Sequence, residues 1–178
     1  MVVELSMRLR EEILAEHSRE QSEKVANWIG KDAKRFAQLM DLFLHDEQLV
    51  AQRAAWIMSV VVEDNPTLVI PYLEAMVKRM VEPNMHNAIK RNVVRVLQVL
   101  EMPEKIHGDV MNACFDFLAD PQEAIAIRAF SMTVLFSLSK NYPEIKQELK
   151  ALIENALEHE DASAGFKNRA LKTLKALK

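Results

Sequence analysis

Four arginines recur at nearly one spacing in this chain of 178 residues: Arg53 in VAQRAAW, Arg91 in AIKRNVV, Arg128 in AIAIRAF and Arg169 in GFKNRAL. Their separations are 38, 37 and 41 residues. A guanidinium is a permanent cation with five donors, so such a column can meet carboxylates between repeats or present charge to an anionic ligand. Asp46, Asp120 and Asp161 precede Arg53, Arg128 and Arg169 by seven or eight residues. Half-buried charges need partners, and the expectation is a structural column, Arg53, Arg91, Arg128 and Arg169, joined by aspartates. Arg91 has Asn84 and Asn87 nearby and no aspartate at the matching place, so it is the arginine expected to be open to a ligand.

Arg91 is also the centre of a basic group with Lys90 and Arg95. Together with Lys167, Arg169 and Lys172 near the C-terminus, and Trp56 beside the first arginine, these form the candidate binding residues. Trp56 and Trp28 sit among apolar neighbours at helical spacing, which favours packing over stacking on a ligand. Met58, Met76, Met80, Met85 and Met132 suit irregular gaps between helices. His17, His45, His86, His107 and His159 are scattered, with no His-x-x-x-His or Cys-x-x-Cys spacing, so no metal is expected. There is no Gly-rich phosphate loop and no Gly-x-Ser-x-Gly elbow. No cofactor or catalytic residue is assigned, and the sequence points away from an enzyme. Cys114, in MNACFDFL, reads as a core thiol in a reducing compartment.

The elements that must position these residues are helices. Apolar residues recur at steps of three and four almost throughout. Val69, Leu73, Met76, Val77 and Met80 follow Pro66; Ile106, Val110, Cys114, Phe117 and Leu118 follow Pro103; Ile145, Leu149, Leu152, Ile153 and Ala156 follow Pro143. The offsets are nearly the same, and proline is best tolerated at a first helical position. Proline spacings of 37 and 40 agree with the arginine spacings, a period close to the two-helix repeat of HEAT and armadillo solenoids. Ala54, Ala129 and Ala170 follow three of the arginines, as close helix approach would require, and Asn92 breaks that column. Asp120-Pro121-Gln122-Glu123 reads as an N-cap, first-turn proline and capping-box glutamate. Ser18 to Gln21 reads as a capping box, Gly30 as a helix exit, and Asp46 and Asn65 as helix entries. Ten helices are expected, near 2–17, 19–29, 32–45, 47–63, 66–82, 86–101, 104–119, 122–140, 143–159 and 164–177. The fold class is all-α, a right-handed solenoid of antiparallel helix pairs in a single domain over 1–178.

Composition bounds the function. The chain has 49% hydrophobic residues, three Gly and six Pro, enough apolar content for a substantial core. Its first residues, MVVELSMRLREEIL, place charge where a signal peptide needs an apolar run, and no window approaches a membrane span. A cytoplasmic protein is expected, without membrane contact. The formal net charge of −3 gives no global attraction to nucleic acid, but charge is uneven. Residues 1–23 carry six acids and three bases, whereas 162–178 carry Lys167, Arg169, Lys172, Lys175 and Lys178 and no acid.

The succession of acidic turn residue, arginine with a small neighbour and proline-started next helix resembles the HEAT repeat over roughly residues 32–178. HSREQSEKVANWIG, VAQRAAWIMSVVVEDNP, AIKRNVVRVLQ, IAIRAFSMTVL and SAGFKNRALK resemble a family of small bacterial HEAT-like proteins common in Bacteroidetes, across the whole chain. That resemblance implies the fold and no established activity. Some members have carried the label adenylosuccinate lyase. That enzyme's mobile loop has the pattern Ser-Ser-x-Met-Pro-x-Lys-x-Asn, whereas Met102-Pro103 lies between Leu100-Glu101 and Glu104-Lys105, so the match fails. DNA alkylation repair glycosylases also use HEAT-like pairs, and that comparison would put Lys90, Arg91, Arg95, Lys167, Arg169, Lys172, Lys175 and Trp56 against duplex phosphates. Their catalytic aspartate and paired tryptophans find no matching positions here.

Stacked helix pairs offer an extended, concave surface suited to proteins and peptides. The expected function is a non-enzymatic interaction or scaffold module with an acidic protein segment as partner. A nucleic-acid-binding protein is the alternative.

Overall fold

The structure is a computed structural model. It describes the backbone of residues 2–159 and 162–177, and side chains from Arg8 onward except at His159. The described residues form ten α-helices and no strand. They divide into two compact units, Met1–Leu100 and Glu101–Lys178.

The first unit contains α1 (Val2–Ala15), α2 (Arg19–Ile29), α3 (Ala33–His45), α4 (Gln48–Asp64), α5 (Leu73–Met80) and α6 (Asn87–Leu97). Its central element is α4, which packs against α1, α2, α3 and α6. Ala51, Ala54 and Ala55 are fully buried, and their short side chains let neighbouring backbones approach. Phe36, Leu39, Met40 and Phe43 of α3 and Met76 and Met80 of α5 fill the rest of the core. Each such side chain contributes on the order of 1.5–3 kcal/mol on burial.

Capping follows local chemistry. Ser18 accepts a hydrogen bond from the Gln21 amide at 3.1 Å, but the Gln21 side chain reaches the Glu12 carbonyl and carboxylate, so only half a capping box forms. Gly30 ends α2 at φ 51°, a conformation that favours glycine. Asp32 caps α3 through two amides. Asn65 does not open a helix with its side chain: its Nδ2 donates to the Val61 carbonyl and closes α4.

The stretch expected as one helix over 66–82 is divided. Pro66–Tyr72 forms 3₁₀ turns and α5 begins at Leu73, since Pro71 has no N–H to continue an α ladder. Pro103 and Pro143 likewise lead into 3₁₀ turns, Glu104–Ile106 and Pro143–Ile145, ahead of α7 and α9. The prolines mark the repeat, but the α-helices start after them.

The second unit contains α7 (His107–Ala119), α8 (Ile125–Leu138), α9 (Lys146–His159) and α10 (Ala164–Ala176). α8 packs against α7, α9 and α10. Asp120-Pro121-Gln122-Glu123 is a turn, and α8 starts only at Ile125. Asp120 accepts from the Gln122 amide and Glu123 from the Ala124 amide, so both carboxylates are engaged within the turn. His107 is buried; its Nε2 donates to the Met102 carbonyl at 2.9 Å, which leaves Nδ1 to accept from the Tyr142 hydroxyl at 3.0 Å. Cys114 is buried on α7, and burial pushes its thiol up to about 12.

Candidate functional site

Two contacts fix α6 against α4. The Ser59 hydroxyl lies 3.4 Å from the Asn92 side-chain oxygen, and Arg95 pairs with Glu63. The paired positions rise together, Ser59 with Asn92 and then Glu63 with Arg95, so the two helices run in the same direction. The Asn92 amide is completed by a bond to the Ala88 carbonyl at 2.8 Å. The residue that breaks the small-residue column thus satisfies its own polar atoms inside the α4–α6 contact.

Arg91 lies one residue before the Asn92–Ser59 contact and four before the Arg95–Glu63 pair, at the height of residues 58–59 of α4. Arg91 is exposed and has no hydrogen bond or ion pair among the described residues. Trp56 and Val60 are half-buried, and the His17 ring meets Trp56 edge-on at 5.4 Å between centroids. Lys90 is half-buried and engaged, and Arg95 is half-buried on Glu63. The α4–α6 face therefore carries a tryptophan, an aliphatic neighbour, one unpaired guanidinium and one held by an internal carboxylate.

Elsewhere the arginines serve the fold, by a route unlike the expected ladder. Asp46 does not meet Arg53. It is gripped by Arg10 of α1, whose Nε and Nη2 reach its two oxygens at 2.9 and 3.2 Å. Hydrogen bonding from Arg10 holds the Asp46 carboxyl below the usual range against the opposing effect of burial. Arg53 instead donates to the Ile13 and Leu14 carbonyls at 3.1 and 3.0 Å, closing the C-terminus of α1. Asp120 does not meet Arg128 either, being used in its own turn. Arg128, only 2% exposed, donates through Nε and Nη2 to the Leu118 carbonyl near the end of α7 and lies over the Phe166 ring. Arg169 donates to the Thr133 hydroxyl at 2.8 Å and stacks over Phe130. The proposed partner Asp161 lies outside the described residues, as do Glu160 and Lys178. Helix-end carbonyls carry partial negative charge, so they accept readily from a guanidinium at an α C-terminus.

Lys167 is half-buried and engaged, while Lys172 and Lys175 are exposed on α10. They belong to the second unit. Lys90, Arg91 and Arg95 belong to the first.

Trp28 departs from its expected packing role. It is 38% exposed, with the Arg35 guanidinium 4.4 Å above its ring. It borders a groove of about 320 Å³ between α1 and α2, lined also by Arg8, Leu9, Glu12, Lys24 and Val25. Nothing in the local pattern separates Trp28 from a core tryptophan; only the antiparallel packing of α1 on α2 does so. Among the described residues no group of three His, Cys, Asp or Glu could hold a metal ion, and no helix is long and apolar enough to cross a membrane.

Helices stacked in repeating pairs, with an arginine recurring on every second helix and no strand among the described residues, define an all-α helical repeat protein. A HEAT repeat domain model matches residues 9–177, and the chain belongs to that family. No curated protein and no solved structure matches it.

Proposed function

We propose that this HEAT repeat chain is a non-enzymatic protein-interaction module that takes an acidic segment of a partner protein on the face of α4 and α6. Arg91 carries this reading: it is exposed and unpaired among the described residues, while the other three column arginines are tied to carbonyls, a hydroxyl or rings. An unpaired guanidinium on α6, at the height of the Trp56–Val60 turn of α4, can form a bidentate bond with a carboxylate. Lys90 and Arg95 add attraction at longer range, a contribution that salt screens. HEAT repeats supply this kind of continuous helical surface to protein partners.

The test is a pull-down with wild-type protein and a Lys90→Ala, Arg91→Ala, Arg95→Ala triple variant, each with and without nuclease. The expected outcome is a nuclease-resistant protein, retained by wild type at low salt, released by high salt and lost by the variant. Nucleic acid retained by wild type and lost by the variant would replace the protein reading with phosphate-backbone binding. A partner insensitive to both salt and the triple substitution would end the α6 reading altogether.

A further inference from the structure

We infer that the α1–α2 groove is the receptor for α10 of a second copy of this chain, giving a head-to-tail contact between molecules. The inference stands apart from Arg91 and uses neither α4 nor α6.

The receptor side is acidic once its internal pairs are removed. Arg10 is held by Asp46 and Glu47, Arg19 by Glu23, and Lys24 by Glu12, while Arg8 is engaged as well. Glu11, Glu16 and Glu20 remain, all exposed and without an ion pair among the described residues. α1 and α2 form an antiparallel hairpin: Gln21 reaches Glu12 near the turn, while Val25 and Trp28 line the groove with Leu9 and Arg8. Glu16 and Glu20 therefore sit at its closed end, and Arg8 and Trp28 at its open end, with Leu9 and Val25 forming the floor between. Eight residues separate Glu20 from Trp28, an axial distance of about 12 Å.

The ligand side is complementary in both respects. α10 has no acidic residue, and Leu171 on it is 60% exposed, a large fraction for leucine on a folded helix. Lys172 and Lys175 flank Leu171 on one side of the helix and have no ion pair among the described residues. With Leu171 against Trp28, Lys175 lies about 6 Å further along the axis, and its four-carbon stem spans the remaining distance toward Glu20. The groove and α10 therefore carry opposite residual charge. A contact of this kind joins different surfaces of the two copies, so it can extend from one copy to the next.

Sedimentation velocity over a concentration series, at low and high salt, tests the contact on the full chain. Wild type is expected to associate reversibly, more weakly at high salt. Leu171→Asp should weaken association about tenfold or more, as loss of a buried anchor does. A Glu11→Lys, Glu16→Lys, Glu20→Lys variant and a Lys172→Glu, Lys175→Glu variant should each be monomeric alone and associate when mixed, because the reversed ends complement each other. Circular dichroism melting checks that each variant is folded. Monomeric wild type at every concentration, association unchanged by Leu171→Asp, or failure of the folded reversed variants to associate on mixing would each overturn the inference.

Discussion

Arg91 on α6 and Arg128 on α8 occupy equivalent places in the repeat, yet one is exposed without a partner and the other is 2% exposed and bound to the Leu118 carbonyl. A repeat position fixes where a side chain starts, not what it meets. Arg128 follows a helix whose end lies within reach, so its charge is spent on the fold. Arg91 follows a turn containing Asn84, which adopts a left-handed φ of 60°, and α5 ends at Met80, further back along the chain. Recognition chemistry is thus expected in the repeat where the structural acceptor is missing.

The sharpest way to break this comparison is to remove each guanidinium. Arg128→Ala leaves a buried carbonyl without its charged donor and a void beside Phe166, and it should cost about 3 kcal/mol, read by chemical denaturation. Cys114 lies in the same unit, and its thiol, pushed up to about 12, reacts slowly while buried near neutral pH. Its rate of alkylation should rise markedly in Arg128→Ala. Arg53→Ala removes a partly buried donor from the end of α1 and should cost about 1 kcal/mol, with faster amide exchange at the α1 C-terminus. Arg91→Ala should change stability by less than about 0.5 kcal/mol while abolishing partner retention. A large loss of stability there would make Arg91 a structural residue and erase the distinction.

The smallest expected effect is on pH dependence. Asp46 is held below its unfolded-state value by hydrogen bonds from Arg10. A carboxylate with a depressed folded pKa adds stability that is present above the unfolded value and lost as pH falls through the folded one. The stability difference between wild type and Arg10→Met should therefore be full near neutral pH and close below the ordinary carboxylate range. A gap that stayed constant with pH would mean Arg10 acts by packing alone.

Much of the architecture was legible because it is periodic. The apolar stripes after Pro66 and Pro103 are buried as their spacing implies. Helix starts were less legible where a local hydrogen bond competes with the helix, as at Asp120, whose carboxylate closes its own turn. The expected Asp46–Arg53 rung failed for a different reason: Asp46 pairs with Arg10, 36 residues away, and no spacing within one repeat reveals that pairing. Arg91 stood out because of a lack of aspartate, a signal confined to its own repeat. Trp28 gave no such signal, since its exposure depends on what α1 leaves uncovered.

Asn92 has a consequence for how the α4–α6 face is kept in alignment. Its amide bonds to Ala88 and faces Ser59, both within the contact, and it is itself buried. If α6 slipped by one turn, about 5.4 Å, the bond to Ala88 would travel with the helix, but the Asn92 side-chain oxygen would leave Ser59 and Arg95 would leave Glu63. A buried acceptor left without its donor costs about 1–3 kcal/mol, which disfavours the slip. Asn92 acts as an index mark, setting the height of Arg91 along α4 from within the helix contact.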